Sequence, residues 1–340
     1  MTDPAHPAAA PAAAPAAPTS TTSPASATSS SPALPAWACV LLGVGAAVAG
    51  LLPWLAGGIR LPLQNLWATE TMPDDLPLVL LPFSQYALTS IVGLIVTGSA
   101  IGGLLARALR PRLPRRGFAG LFVGVLAVQV VAVAQTAFTV QLGLQHRVES
   151  TIYLAGLTAL AVFSIAVGAL VLWLVARAPR AGALIGLAFG SIAVGFWATT
   201  ALQSVLTFGG PGVWWVSTVL HLLPAALIGA AIAWCGVATV GRVVAAIASL
   251  VVLWLAPPFA TAVSSAIGTR VMAGYPAEML DYGAQVFVMA ATLPEVVLPP
   301  VVVAIVVAGL GLALVAVRRS STAGAAAGTG TGTGTEASVD

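Results

Sequence analysis

Residues 151–176 read TIYLAGLTALAVFSIAVGALVLWLVA, a run without one formal charge. At 1.5 Å per residue a helix of that length extends about 39 Å, enough to cross a hydrocarbon layer of about 30 Å. Seven further stretches are comparably long and apolar: 36–57, 84–107, 117–141, 182–205, 213–238, 243–264 and 295–317. Together they exclude a water-soluble globule with an ordinary core. They predict an all-α, polytopic membrane bundle of about eight transmembrane helices.

Composition agrees. Of 340 residues, 59% are hydrophobic and 7% charged, whereas an ordinary soluble domain carries about 25% charged residues. The net charge of +3 does not point to nucleic acid, because the basic residues are sorted by side. All 13 are Arg. Ten fall between alternate spans or after the last: Arg107, Arg110, Arg112, Arg115, Arg116, Arg177, Arg180, Arg242, Arg318 and Arg319. Only Arg60, Arg147 and Arg270 fall on the other side. The positive-inside rule then places both termini in the cytoplasm. Trp37, Trp173 and Trp234 fall near the inner interface, and Trp54, Trp214 and Trp215 near the outer one, as aromatic belts require. A lysine-free chain rich in Ala, Gly and Pro reads as bacterial, which makes the bacterial cytoplasmic membrane the expected location.

Residues 1–34 are almost wholly Ala, Pro, Ser and Thr, and residues 320–340 are rich in Gly, Thr and Ala. Neither segment has apolar surface to bury, so both are expected to be disordered tails flanking a membrane domain at 35–319. Two outer loops are long, 58–83 and 265–294. In the second, Glu278, Asp281 and Gln285 recur at helical spacing opposite Met279, Tyr282, Val286 and Met289. That pattern predicts an amphipathic helix of about four turns lying on the outer membrane surface.

Polar side chains within the spans fall mainly in the outer half. Gln129, Gln135, Thr136 and Thr139 share an arc of span three. Thr199, Thr200 and Gln203 share a face of span five, and Ser217 and His221 stand one turn apart in span six. Polar groups at such depth face protein or a watery cavity. Two uses are open: hydrogen-bonded glue between helices, or the lining of an outward-facing vestibule. The candidate vestibule residues are Gln129, Gln135, Thr139, Thr199, Gln203, Ser217 and His221. The cytoplasmic halves instead carry small-residue spacings, Gly182–Gly186–Gly190 and Gly98–Gly102, which let helix backbones approach closely. Pro257–Pro258 and Pro299–Pro300 remove backbone donors inside spans seven and eight, either as simple kinks or as openings for a ligand.

Outside the spans, Asp74, Asp75, Glu278 and Asp281 form a candidate outer acidic site, with a solvated turn as the alternative at Asp74–Asp75. Cys39 and Cys235 read as small packing residues. The sequence carries no P-loop, HExxH or GxSxG. No catalytic residue, metal or cofactor is assigned. The expected partners are the lipid bilayer and further membrane subunits, not nucleic acid. The reading is transport-like, binding or passing a small solute or lipid through the vestibule. The alternatives are a membrane enzyme acting on a lipid-linked substrate at the outer face, or a non-catalytic scaffold.

Overall fold

The computed structural model describes residues 34–62, 64, 66–69, 71–72, 75–206, 213–269 and 275–328. Asp74, Arg270 and, of the two stretches read as disordered tails, residues 1–33 and 329–340 lie outside them, whereas 320–328 are helical. The described residues form nine α-helices: α1 (Ala36–Ala56), α2 (Leu88–Ala108), α3 (Gly117–Gly143), α4 (Val148–Arg177), α5 (Arg180–Leu206), α6 (Val213–Cys235), α7 (Val240–Gly268), α8 (Pro276–Thr292) and α9 (Pro294–Gly328). All but α8 contain a stretch long and apolar enough to cross a membrane. The chain is a multi-pass helical membrane protein. Its spans match the apolar stretches to within a few residues at most ends. α9 is the exception. It continues through the Ala-rich STAGAAAG stretch to Gly328, where alanine favours helix over coil.

α2 and α5 are the centre of the bundle. Two-thirds (67%) of the α2 span is buried within the protein, against 11% of the α9 span, so α9 presents most of its surface to lipid. α2 packs on α1, α4 and α5; α5 continues to α6 and α7; α9 lies on α6 and α8 on α7. Glycine sets several of these crossings. A Cβ on Gly43 would collide with the carbonyl of Leu121, and one on Gly124 with the carbonyl of Val40, so α1 and α3 touch backbone to backbone. Gly186, central in the expected small-residue stripe, faces Val171, Leu174 and Val175 of α4. Its spacing does mark a helix contact.

Arginines gather the inner ends. The Arg107 guanidinium donates to the carbonyls of Val175 at 2.7 Å and Ala178 at 3.2 Å. Arg110 donates from Nε to Ala176 O at 2.9 Å. These carbonyls close α4, where the last turn lacks intrahelical donors and the helix dipole favours a cation. Arg107 also lies 4.9 Å from the ring of Trp234 at the end of α6, and Arg177 lies 4.5 Å from the ring of Phe118 at the start of α3. The arginine-rich connections therefore meet at one end of the bundle.

The first long loop is buried in part, although Met72 and Asp75 stay exposed. Leu76, Val79, Leu81 and Phe83 are buried with Leu61 in a core built from α2, α3 and α4. An extended chain placed there must satisfy its backbone without water. Two antiparallel bonds, Leu61 N–H to Pro77 O (3.0 Å) and Val79 N–H to Ile59 O (2.8 Å), tie its two limbs together. Side chains supply much of the rest. Gln135 and Thr136 of α3 accept the N–H groups of Leu80 and Leu81, each at 3.0 Å. The Trp54 indole donates to Val79 O at 2.8 Å. Gln64 donates to Phe83 O and accepts from the Tyr153 hydroxyl, both at 2.8 Å.

The second long loop also departs from expectation. α8 is amphipathic as its spacing predicts, but it does not lie apart on the membrane surface. It doubles back along α7. Gly283 stands against Ala262 and Ala266, and nearer its end the Ala291 carbonyl accepts the Trp254 indole N–H at 2.9 Å. Small residues at this seam permit close approach, and the Trp254 donor needs an acceptor at a depth where water is scarce. Glu278, Asp281 and Gln285 remain on the exposed face of α8.

Candidate functional site

The residues singled out for a vestibule fall into separate places. Gln129 is 2% exposed and bridges α3 to α2, donating to Ile95 O and Ser99 Oγ, both at 2.9 Å. Gln135 serves the inserted loop and also donates to Thr139 Oγ at 3.2 Å. On α3, then, the polar arc acts as glue. Gln203 on α5 and Ser217 on α6 are exposed. Thr199 and His221 come together in a pocket of about 140 Å³ between α5, α6, α7 and α9.

This pocket has an unusual wall. It is lined by Gly195, Phe196 and Thr199 from α5, Leu220, His221 and Pro224 from α6, Leu253, Trp254, Pro257 and Pro258 from α7, and Val296, Val297 and Pro300 from α9. A helical proline has no N–H, so the carbonyl four residues earlier loses its donor. Pro224 strips Leu220, Pro257 strips Leu253, Pro258 strips Trp254, and Pro300 strips Val296. In all four cases both the proline and the stripped residue line the pocket. Prolines from three helices, each with the residue whose carbonyl it deprives of a helical donor, thus meet around one cavity. The reading of the proline pairs as either kinks or openings is sharpened by this convergence, and Pro224 joins them.

Depth follows from helix rise. His221 precedes the α6 end at Cys235 by fourteen residues and Trp254 follows the α7 start at Val240 by fourteen, about 21 Å from the inner ends in each case. In a hydrocarbon layer of about 30 Å the pocket therefore lies in the half away from the arginine-rich end of the bundle.

The remaining polar groups are partly committed. Thr199 donates its hydroxyl proton to Gly195 O at 2.9 Å, which leaves its oxygen only as an acceptor. The Trp254 N–H is taken by Ala291. At the start of α9, the N–H groups of Val296 and Val297 both donate to Leu293 O at 3.1 Å. His221 supplies one donor and one acceptor in its neutral form.

The outer acids occupy two unlike places. Asp75 is exposed in the first loop, its N–H bonded to Met72 O at 3.0 Å, and Asp74 lies outside the described residues. Glu278 and Asp281 border a shallow surface depression on α8, where Gln285 donates to Asp281 Oδ2 at 2.8 Å. Among the described residues, no three His, Cys, Asp or Glu side chains are grouped to hold a metal ion.

Reasoning from sequence places Pro224 on the His221 stripe and marks the Pro257–Pro258 and Pro299–Pro300 pairs, but it does not bring them to one pocket, and it misses the inserted loop. The loop was signalled by LPLVLLPF at 76–83, too apolar for a solvated connection. The chain matches no protein-family model, no curated protein and no solved structure.

Proposed function

We propose that the chain is a transport-type protein of the bacterial cytoplasmic membrane that binds, and passes or presents, a small solute in the pocket between α5, α6, α7 and α9. One observation carries the reading: prolines on three different helices, together with the residues whose carbonyls they deprive of a helical donor, line a single pocket within the apolar spans. Broken helices whose freed carbonyls face a cavity are a recurring way to hold a solute or ion within a bilayer. Apolar walls with a few polar groups are also the usual makeup of a small-molecule site. The polar arc of α3 contributes rigidity instead, by holding the inserted loop.

The test is retention of a native ligand. The full chain, purified in mild detergent from its own membrane, is compared by native mass spectrometry with Val297→Phe, which fills the cavity from α9. A small molecule bound to the wild type and absent from the variant supports the reading. Equal spectra, with both proteins folded and free of adducts, contradict it.

A further inference from the structure

We infer that the arginine-rich end of the bundle holds the phosphate of an anionic phospholipid, at the place where α1 and α3 begin and α4 ends. This surface is separate from the pocket between α5, α6, α7 and α9. Arg112, Arg115 and Arg116 lie in the connection that leads into α3, and Arg177 is the last residue of α4. All four are exposed. The fold brings them together. The Arg112 carbonyl accepts the Leu34 N–H at 2.9 Å, which ties the connection to the start of α1. The Arg177 guanidinium lies 4.5 Å from the ring of Phe118 in the first turn of α3. Among the described residues no carboxylate balances this charge, because Asp75, Glu149, Glu278, Asp281 and Glu295 all belong to the opposite end. The start of α3 adds to the excess. It has no acid in its first turn and no side-chain cap, although a helix N-terminus carries about half a positive charge and favours an anion. Four cations beside a positive helix end call for a counter-charge from outside the chain.

Depth and surroundings make that counter-charge a lipid. The four arginines fall within four residues of Ala108, Gly117 or Arg177, the ends of their spans. A headgroup layer is about 5–8 Å thick, close to one helical turn, so the guanidinium groups stand at the level of phospholipid phosphates. Trp37 of α1 and Trp173 of α4, both exposed, mark the same level, as indoles at a membrane interface do. Exposed Leu41, Val123 and Leu170 continue the same three helices toward the membrane interior. A phospholipid fits both parts, its acyl chains against the apolar flank and its phosphate among the arginines. Guanidinium groups hold phosphate oxygens through paired N–H donors, and basic clusters at the end of a span attract anionic headgroups. The headgroup must carry net negative charge. Phosphatidylglycerol does, whereas in phosphatidylcholine the choline cancels the phosphate.

Lipid preference is the test. The full chain, purified in an uncharged detergent, is titrated separately with dioleoyl-phosphatidylglycerol, dioleoyl-phosphatidylcholine and inorganic phosphate, with thermal unfolding as the readout. Wild type is compared with a triple variant, Arg112→Gln, Arg115→Gln and Arg116→Gln, and with Arg147→Gln, which removes an exposed arginine at the other end. Expected for the wild type is at least tenfold tighter apparent binding of phosphatidylglycerol than of phosphatidylcholine, and no rise with millimolar phosphate. The preference should fall at least fivefold in the triple variant and stay unchanged in Arg147→Gln. Equal response to the two lipids, or a preference that survives in the triple variant, would overturn the assignment. A rise with inorganic phosphate equal to that with phosphatidylglycerol would show a site for free anions and overturn the lipid. If the triple variant does not fold, the wild type decides alone. Raising sodium chloride from about 50 to about 500 mM should cut the preference at least fivefold, because salt screens exposed charges. A preference indifferent to salt would contradict the arginine site.

Discussion

Gln135 of α3 acts on Leu80 as a neighbouring strand would, its Oε1 accepting the Leu80 N–H at 3.0 Å while its Nε2 donates to the adjacent Leu78 carbonyl at 3.0 Å. One side-chain amide thus replaces both partners that a ladder would give this stretch of chain. The Thr136 hydroxyl supplies one further partner, accepting the Leu81 N–H at 3.0 Å while it donates to Gln135 Oε1 at 3.3 Å. The loop can be buried in a membrane bundle because α3 carries the missing partners.

Removing those partners should be costly. Gln135→Leu and Thr136→Val keep approximate shape but leave the loop N–H groups unpaired, and an unsatisfied buried donor costs about 1–3 kcal/mol. Each variant should unfold at lower temperature in detergent and become easier to cleave by protease within 76–84. Thr139→Val, whose hydroxyl accepts from Gln135 and not from the loop backbone, should have the smaller effect. Equal stability of all three variants would mean that the loop is held by apolar burial alone.

The glycine crossings differ in what obstructs a side chain. At Gly43 the obstacle is the Leu121 backbone carbonyl, which cannot swing aside. At Gly186 a Cβ would lie 2.9 Å from Leu174 Cβ and 3.0 Å from Val175 Cγ2, and side chains can yield somewhat. Gly45 has open space around it. Gly43→Ala should therefore destabilise more than Gly186→Ala, and Gly45→Ala should be neutral or slightly stabilising. Gly186→Leu, which no small shift relieves, should cost on the order of 1–3 kcal/mol as overpacking. Melting temperatures of the four variants in one detergent check the order.

Arg107 is fixed by two carbonyls and an indole face. Lysine keeps the charge but not the planar fork, so Arg107→Lys should recover only part of the stability lost in Arg107→Leu. Hydrogen bonds made by charged groups contribute about 1.5–3 kcal/mol each when well formed, and the partial exposure of Arg107 places the loss at the low end of that range. Full rescue by lysine would show that charge alone matters at this end of the bundle.

Sidedness has its own test. Arginine asymmetry puts the Arg107–Arg116 connection in the cytoplasm. Met72 is 72% exposed at the opposite end, and the native cysteines Cys39 and Cys235 are buried, so labelling background should be low. Met72→Cys should react with an impermeant thiol reagent in intact cells, and Arg115→Cys only after the membrane is opened. The reverse pattern would invert every assignment of inner and outer face.

The spans were legible in the sequence because hydrocarbon enforces length and apolarity on every crossing helix, as 151–176 shows. The stripe at Gly182, Gly186 and Gly190 was legible for a similar reason, since close approach has one simple solution in residue type. What could not be read was partnership. Gln135 and His221 look alike as polar residues in the outer half, yet one is bonded to a loop more than fifty residues away and the other lines a cavity. Spacing along one helix cannot reveal which neighbour meets it. The face of α8 was half legible. Met279, Tyr282 and Val286 do turn inward, but Met289 is 58% exposed and Ala290 and Ala291 take its place, because the helix meets α7 rather than a flat lipid surface.

Whether the pocket between α5, α6, α7 and α9 holds water and solute is measured by single cysteines at Thr199 and His221, with Gln129 as the dry reference. A small impermeant thiol reagent is applied from outside to membranes containing each variant. Thr199→Cys and His221→Cys should react at least tenfold faster than Gln129→Cys, and Val297→Phe added to either should slow it toward the reference. Reaction of Thr199→Cys and His221→Cys no faster than Gln129→Cys would show a sealed, dry seam and contradict a solute site there.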